Sequence, residues 1–175
     1  MGQRINTDNS FAVNFREAGG LHLLFTVLES AINALQQTGL QPFLQCHERQ
    51  VSLSSAQSEL NSYIKTLMNC IHKLMDSKEG IRLTLTHPNA VSCLFRITCD
   101  CHSAEIRQLG LRILAILCLL PPKYFAIGSI MTALDTYAQT KGISRFHALL
   151  QIGKSVLPKK DDPLQADAMQ FLFNI

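Results

Sequence analysis

Apolar residues recur every three or four positions along most of the chain, the spacing that gathers them on one face of an α-helix. Leu60, Ile64, Leu67, Met68, Ile71, Leu74 and Met75 form one such face. Ser54 and Gln57 fit a capping box at its start and Gly80 fits its stop, so the pattern predicts a helix of roughly five turns over 56–76. A second long helix is predicted over 103–120, with Ser103 as its cap, Glu105 in its first turn and Pro121 at its end. Ile106, Leu109, Leu111, Ile113, Leu114, Ile116, Leu117 and Leu120 make it apolar almost all round, so neighbours must cover it on most sides. A third starts at Asp162-Pro163, with aspartate as cap and proline at the first helical position, and carries Leu164, Ala168, Phe171, Leu172 and Ile175.

Shorter helices are predicted at 11–17, at 21–37 (Leu21, Leu24, Phe25, Leu28, Ile32, Leu35), and at 79–86, 88–98, 124–139 and 144–150. No alternating strand pair stands out; 82–86 is rich in β-branched residues but has helical neighbours. Residues 1–10 read as a disordered N-terminus. The stretch 38–55, with Gly39, Pro42 and a serine-rich end, reads as one long polar connection and a mobile insertion. Three blocks result, 11–76, 78–120 and 121–175, each ending in a long apolar helix. Their period of roughly 42–65 residues is near the armadillo and HEAT range once 38–55 is discounted. The fold class expected for 11–175 is therefore all-α, an armadillo/HEAT-like right-handed superhelical stack of about three helical repeats. The last helix reaches Ile175 with no polar capping unit after it, so the array reads as truncated at that end: a fragment, a short isoform, or a partner-capped stack.

Composition narrows the class without choosing a function. The 175 residues are 47% hydrophobic and 17% charged, which excludes disorder as the dominant state. Lys+Arg 16 against Asp+Glu 13 gives +3, too small a surplus to point to nucleic acid. The most apolar run, 113–120, is far short of a bilayer span and is closed by Pro121-Pro122, so no membrane span is expected. The N-terminus lacks a signal-peptide core, and Asn6 stands where a myristoylation motif has Ser or Thr. Cys46, Cys70, Cys93, Cys99, Cys101 and Cys118 follow no extracellular spacing, which favours a reduced, cytosolic setting.

Candidate chemistry is sparse. Cys99-Asp100-Cys101-His102 supplies one cramped half of a zinc site and no second pair, so it reads as an interhelical loop and no metal is expected. His22, His47, His72 and His147 are scattered, and none pairs in sequence with a Ser, Cys or carboxylate as a triad needs. Gly-x-Ser-x-Gly, the P-loop and Gly-x-Gly-x-x-Gly are absent, so no enzyme and no cofactor is expected. Lys159-Lys160-Asp161-Asp162 cancels its own charge and reads as a solvated loop. Two surface stripes carry more information. On 56–76 the stripe is Ser58, Asn61, Lys65, Asn69, His72, Asp76; on 103–120 it is Glu105, Gln108, Arg112, Ala115, Leu119. The second turns apolar along its length, and Ala115 with Leu119 beside Arg112 predicts a shallow groove suited to the apolar face of a partner helix.

Five motifs, in order, carry a resemblance to a known family. Phe15-Arg16-Glu17-Ala18-Gly19-Gly20-Leu21-His22-Leu23-Leu24 resembles the "Phe-x-x-x-Gly-Gly-Leu-x-x-Leu-Leu" opening of the armadillo-type GTPase-binding/formin-homology-3 region of diaphanous-related formins. The run from Cys70 through Met75-Asp76 to Gly80-Ile81 is similar to that family's "Cys-x-x-x-x-Met-Asn-x-x-x-Gly-Ile" helix end. Leu114-Ala115-Ile116-Leu117-Cys118-Leu119-Leu120-Pro121 resembles "Leu-x-Ala-Leu-Cys-x-x-Pro", Arg145-Phe146-His147-Ala148-Leu149-Leu150 resembles "Arg-Phe-x-x-Leu-Leu", and Met169-Gln170-Phe171-Leu172-Phe173-Asn174 resembles "x-Gln-x-Ile-Asn". Together they span roughly 11–175.

The resemblance implies a regulatory domain whose repeats bind a C-terminal autoregulatory helix of a formin, in cis or in trans, and hold actin nucleation off. A GTP-bound Rho-family GTPase relieves the block, so actin is an indirect partner and the setting is the cytoplasm, cytoskeleton or cell cortex. It implies partner contacts at Lys65, Asn69, His72, Asp76 and Ser77, at Gln108, Arg112, Ala115 and Leu119, and at Gln170 and Asn174. Asp76 stands where the family has Asn and adds a negative charge at the expected GTPase contact. The six prolines are dispersed, with no profilin-binding tract and no actin-assembling domain in this sequence. The alternative is a generic armadillo or HEAT scaffold or adaptor unrelated to actin; an all-helical enzyme or nucleic-acid module is the third class.

Overall fold

A computed structural model describes residues 13–15, 17–39, 47–101, 103–119, 123–145, 147 and 171. These residues hold six helices and no strand: α1 Gly20–Gly39, α2 His47–Leu74, α3 Lys78–Thr86, α4 Ala90–Asp100, α5 Ala104–Leu117 and α6 Lys123–Lys141. Residues 13–15 and 17 are helical as well. The expected helix from Asp162, apart from Phe171, lies outside the described residues, as do residues 1–12 and most of 144–150.

Local chemistry sets the boundaries. Gly19 at φ 73 turns the chain into α1, and the Phe15 ring lies where a Cβ on Gly20 would come within 2.5 Å of it. Ser77 caps α3 by accepting the Gly80 N–H at 3.0 Å, and Glu79 in the first turn pairs with Arg82. At the end of α6, Gly142 at φ 65 closes a Schellman motif: the Ile143 N–H donates to the Ala138 carbonyl at 2.9 Å and the Gly142 N–H to Gln139.

Three expectations change. First, α2 begins at His47, so part of the stretch 38–55 is helical and Ser54 lies inside a helix. The residues 47–60 contain no Gly or Pro, and nothing in them stops a helix running upstream of Ser54. Second, Gly80 does not stop α2, which ends at Leu74; it lies in the first turn of α3, where a Cβ would stand 1.9 Å from the Leu74 carbonyl oxygen. Third, Ser103 occupies the N-cap position of α5 with extended backbone, but its hydroxyl makes no capping bond.

Packing centres on α4, which lies against α1, α3, α5 and α6; α5 also packs on α2 and α3, and α1 on α2. Phe25 and Leu28 from α1, Ile64, Met68 and Ile71 from α2, Leu94 and Phe95 from α4, and Ile106, Leu111 and Ile113 from α5 fill the interior. Phe171 is fully buried, edge-on to Phe95 at 6.5 Å between ring centroids. α5 is covered as its all-round apolar sequence requires: Ile106, Leu111, Ile113, Leu114 and Leu117 are all buried.

Candidate partner-binding surface

The two predicted stripes meet at one point. Lys65 of α2 donates to the Glu105 carboxylate of α5, and that bond and charge hold Glu105 below the usual carboxylate range. Lys65 therefore acts first as a clip between helices. Farther along α2, Asn69 is exposed and His72 is half-buried; Lys73 stands 3.6 Å from Asp76, which is exposed just past the helix end. Ser77 is committed to capping α3. On α5, Arg112 is exposed and Gln108 half-buried. Ala115 is only 9% exposed and belongs to the core, because neighbouring side chains close over its single methyl group. The predicted greasy strip thus reduces to Leu119, which is 58% exposed. Gln170 and Asn174 lie outside the described residues.

A larger feature sits between α1 and α2: a groove of about 880 Å³ lined by Leu23, Leu24 and Val27 on one side and Tyr63, Leu67 and Leu74 on the other. Leu23 is 64% and Tyr63 49% exposed. On α1 the core stripe is Leu21, Phe25, Leu28, Ile32 and Leu35, so Leu23 and Val27 form a second apolar stripe turned away from it. Tyr63, Leu67, Cys70 and Leu74 do the same on α2. That doubled stripe is the sequence signal for the groove, and placing Leu67 and Leu74 on a single face with Ile64 and Met68 concealed it. The groove takes in Asn69, Lys73, Asp76 and Ser77, so three of the sequence-predicted residues, Asn69, Asp76 and Ser77, gather on it. Arg112 and Leu119 on α5 are not among its lining residues.

The polar side of α1, α4 and α6 is a paired network. Arg96 donates to Asn33 at 2.8 Å and lies 3.6 Å from Glu29. Asp100 accepts from the Tyr137 hydroxyl at 2.8 Å and from Lys141 at 3.1 Å. Burial, then the bond to Asp100, raises the Tyr137 phenol above its ordinary range. These charges offset one another and tie three helices together. Cys70, Cys93, Cys99, Cys101 and Cys118 are free thiols, and burial pushes Cys93 and Cys99 up to about 12, which keeps both protonated and poorly nucleophilic. Among the described residues no group of three or more His, Cys, Asp or Glu is placed to hold a metal ion. No described helix is long and apolar enough to cross a membrane. The exposed apolar side chains of the groove are the most distinctive chemistry of the described surface. No protein-family model and no curated protein matches the chain.

Proposed function

We propose that this chain is a regulatory protein-binding domain of the diaphanous-related formin type, an armadillo-like stack that binds a GTP-loaded Rho-family GTPase and an amphipathic autoregulatory helix. On this reading it is not an enzyme, it acts in the cytoplasm at the cytoskeleton or cell cortex, and it meets actin only indirectly. The order of packing supports the stack: α1, α4 and α6 follow one another in contact, α2 and α5 lie side by side along them, and α3 packs on α4 and α5. The single observation that carries the partner reading is the groove between α1 and α2. Its exposed Leu23 and Tyr63 share one surface with the Asp76-Ser77 corner, where the resemblance implies a GTPase contact.

A stacked scaffold unconnected to actin is the second reading. It is favoured by the structural roles of Gly20, Gly80, Met75 and Cys118 in the resembling motifs, since any tightly packed helical stack needs such positions. Capture of Rho-family GTPases on the immobilised chain separates the two. The regulatory reading expects the GTP-loaded form to be retained over the GDP-loaded form, and retention to fall when Leu23→Ser and Tyr63→Ser are combined. Retention of neither form favours the plain scaffold.

A further inference from the structure

His87 ends α3 at the corner before Pro88, and its backbone N–H bonds to the Leu83 and Thr84 carbonyls. Its imidazole reaches across to α1, where it stacks on Phe25 with centroids 5.1 Å and planes 29° apart. The ring of His22, one turn earlier on α1, lies 5.7 Å away. Both nitrogens of His87 are enclosed, and among the described residues neither has a hydrogen-bond partner. The adjoining cleft is walled by Thr86, Pro88, Val91 and, from α6, Thr132 and Ala133, none of them charged. His22 is the titratable group that faces His87. The described charges on the packed elements are engaged elsewhere: Glu79 with Arg82 on α3, Glu29 of α1 with Arg96 of α4, Asp100 of α4 with Lys141 of α6, and Asp135 of α6 with Arg145. Lys78 stands at the opposite end of α3.

A half-buried imidazole with both nitrogens enclosed is accommodated better neutral than charged. The neutral ring leaves one N–H without an acceptor; the protonated ring leaves two and sets a charge against a second histidine, costs that oppose the attraction of an imidazolium to the Phe25 face. We propose that the contact of His87 with Phe25 and His22 is an acid-sensitive latch joining α1 to the α3–α4 corner, closed while His87 is neutral and released when it takes up a proton. Burial first, and the charge of His22 second, hold the pKa of His87 below the ordinary histidine value, in keeping with the geometry. The packed state then binds the proton more weakly than the released state. Stability is unaffected well above about pH 6.5 and falls as the pH drops below it toward the depressed value. Release loosens the hold of the α3–α4 corner on α1, the helix that forms one wall of the apolar groove, so acidification alters that surface. The inference stands whether or not the formin reading holds.

Histidine titration of the whole chain by NMR, with amide exchange corrected for its intrinsic pH dependence, tests the latch in wild type and in His87→Phe. His87 is expected to titrate below the ordinary value, and α1 to lose several-fold more protection than α4 between about pH 7.5 and pH 5. The phenylalanine variant, which keeps an aromatic ring on Phe25 and cannot be protonated, is expected to keep its α1 protection. A His87 midpoint at or above the ordinary value overturns the proposal, as does an acid loss in α1 that His87→Phe leaves unchanged. If the variant does not fold, the wild-type titration decides alone.

Discussion

Gly110 of α5 lies so close to Thr98 of α4 that a Cβ at position 110 would stand 2.3 Å from the threonine Oγ1. Thr98 is buried and its hydroxyl donates to the Leu94 carbonyl at 2.8 Å, so it does not move aside without losing that bond. The two central helices owe their close approach to the absence of one methyl group.

Gly110→Ala should therefore destabilise the fold by about 1–3 kcal/mol through overpacking. Gly128, inside α6 and exposed, has open space where a methyl group would sit, with no atom within 4 Å, so Gly128→Ala should stabilise by about 0.5–1 kcal/mol. Urea unfolding of both variants checks the pair, and a shared sign would contradict the packing at Gly110.

Removing the Ser77 hydroxyl leaves the Gly80 N–H without its cap. Ser77→Ala should cost about 1 kcal/mol, read from the same unfolding curves. Because the Ser77 corner lines the groove, any partner held there should bind the variant more weakly as well.

Phe171 closes the core against Phe95 with no exposed surface. Phe171→Ala should lower stability by about 3–5 kcal/mol. A loss below about 1 kcal/mol, the size of a surface change, would mean that the Phe171 ring does not seal the interior.

The Lys65–Glu105 pair predicts a pH dependence that adds to that of His87 in acid but comes from a group of opposite charge. Its partner holds the Glu105 carboxylate below its usual value, so the contribution is complete above about pH 4.3 and is lost as the pH falls through the lower folded value. Thermal melts of wild type and Lys65→Met should differ near neutrality and converge in acid. A difference that persists unchanged into acid would show that the clip does not titrate.

Much of the helix layout is legible in the sequence because its signals are local. Apolar residues on every side of 106–117 require a covered helix, and Pro121 sets a limit just past its end. The start of α2 is not legible, because a polar helix and a polar loop share a composition and Ser54 imitates a cap. Gly80 misleads for a related reason: a glycine after an apolar run signals a helix stop, while its use here, a close approach to the Leu74 carbonyl, exists only in three dimensions. Ala115 lies on the exposed stripe by periodicity and in the core by packing. The meeting of His87 with Phe25 joins residues sixty-two positions apart (87 less 25), with no shared motif to announce it.

The regulatory reading is tested most directly by calorimetric titration of the folded chain with an amphipathic "Met-Asp-x-Leu-Leu" helix peptide. Saturable binding by wild type is predicted, together with its loss when Leu23→Ser is combined with Tyr63→Ser in a variant whose helical circular dichroism is unchanged. No binding by wild type, or undiminished binding by the folded double variant, would contradict the account.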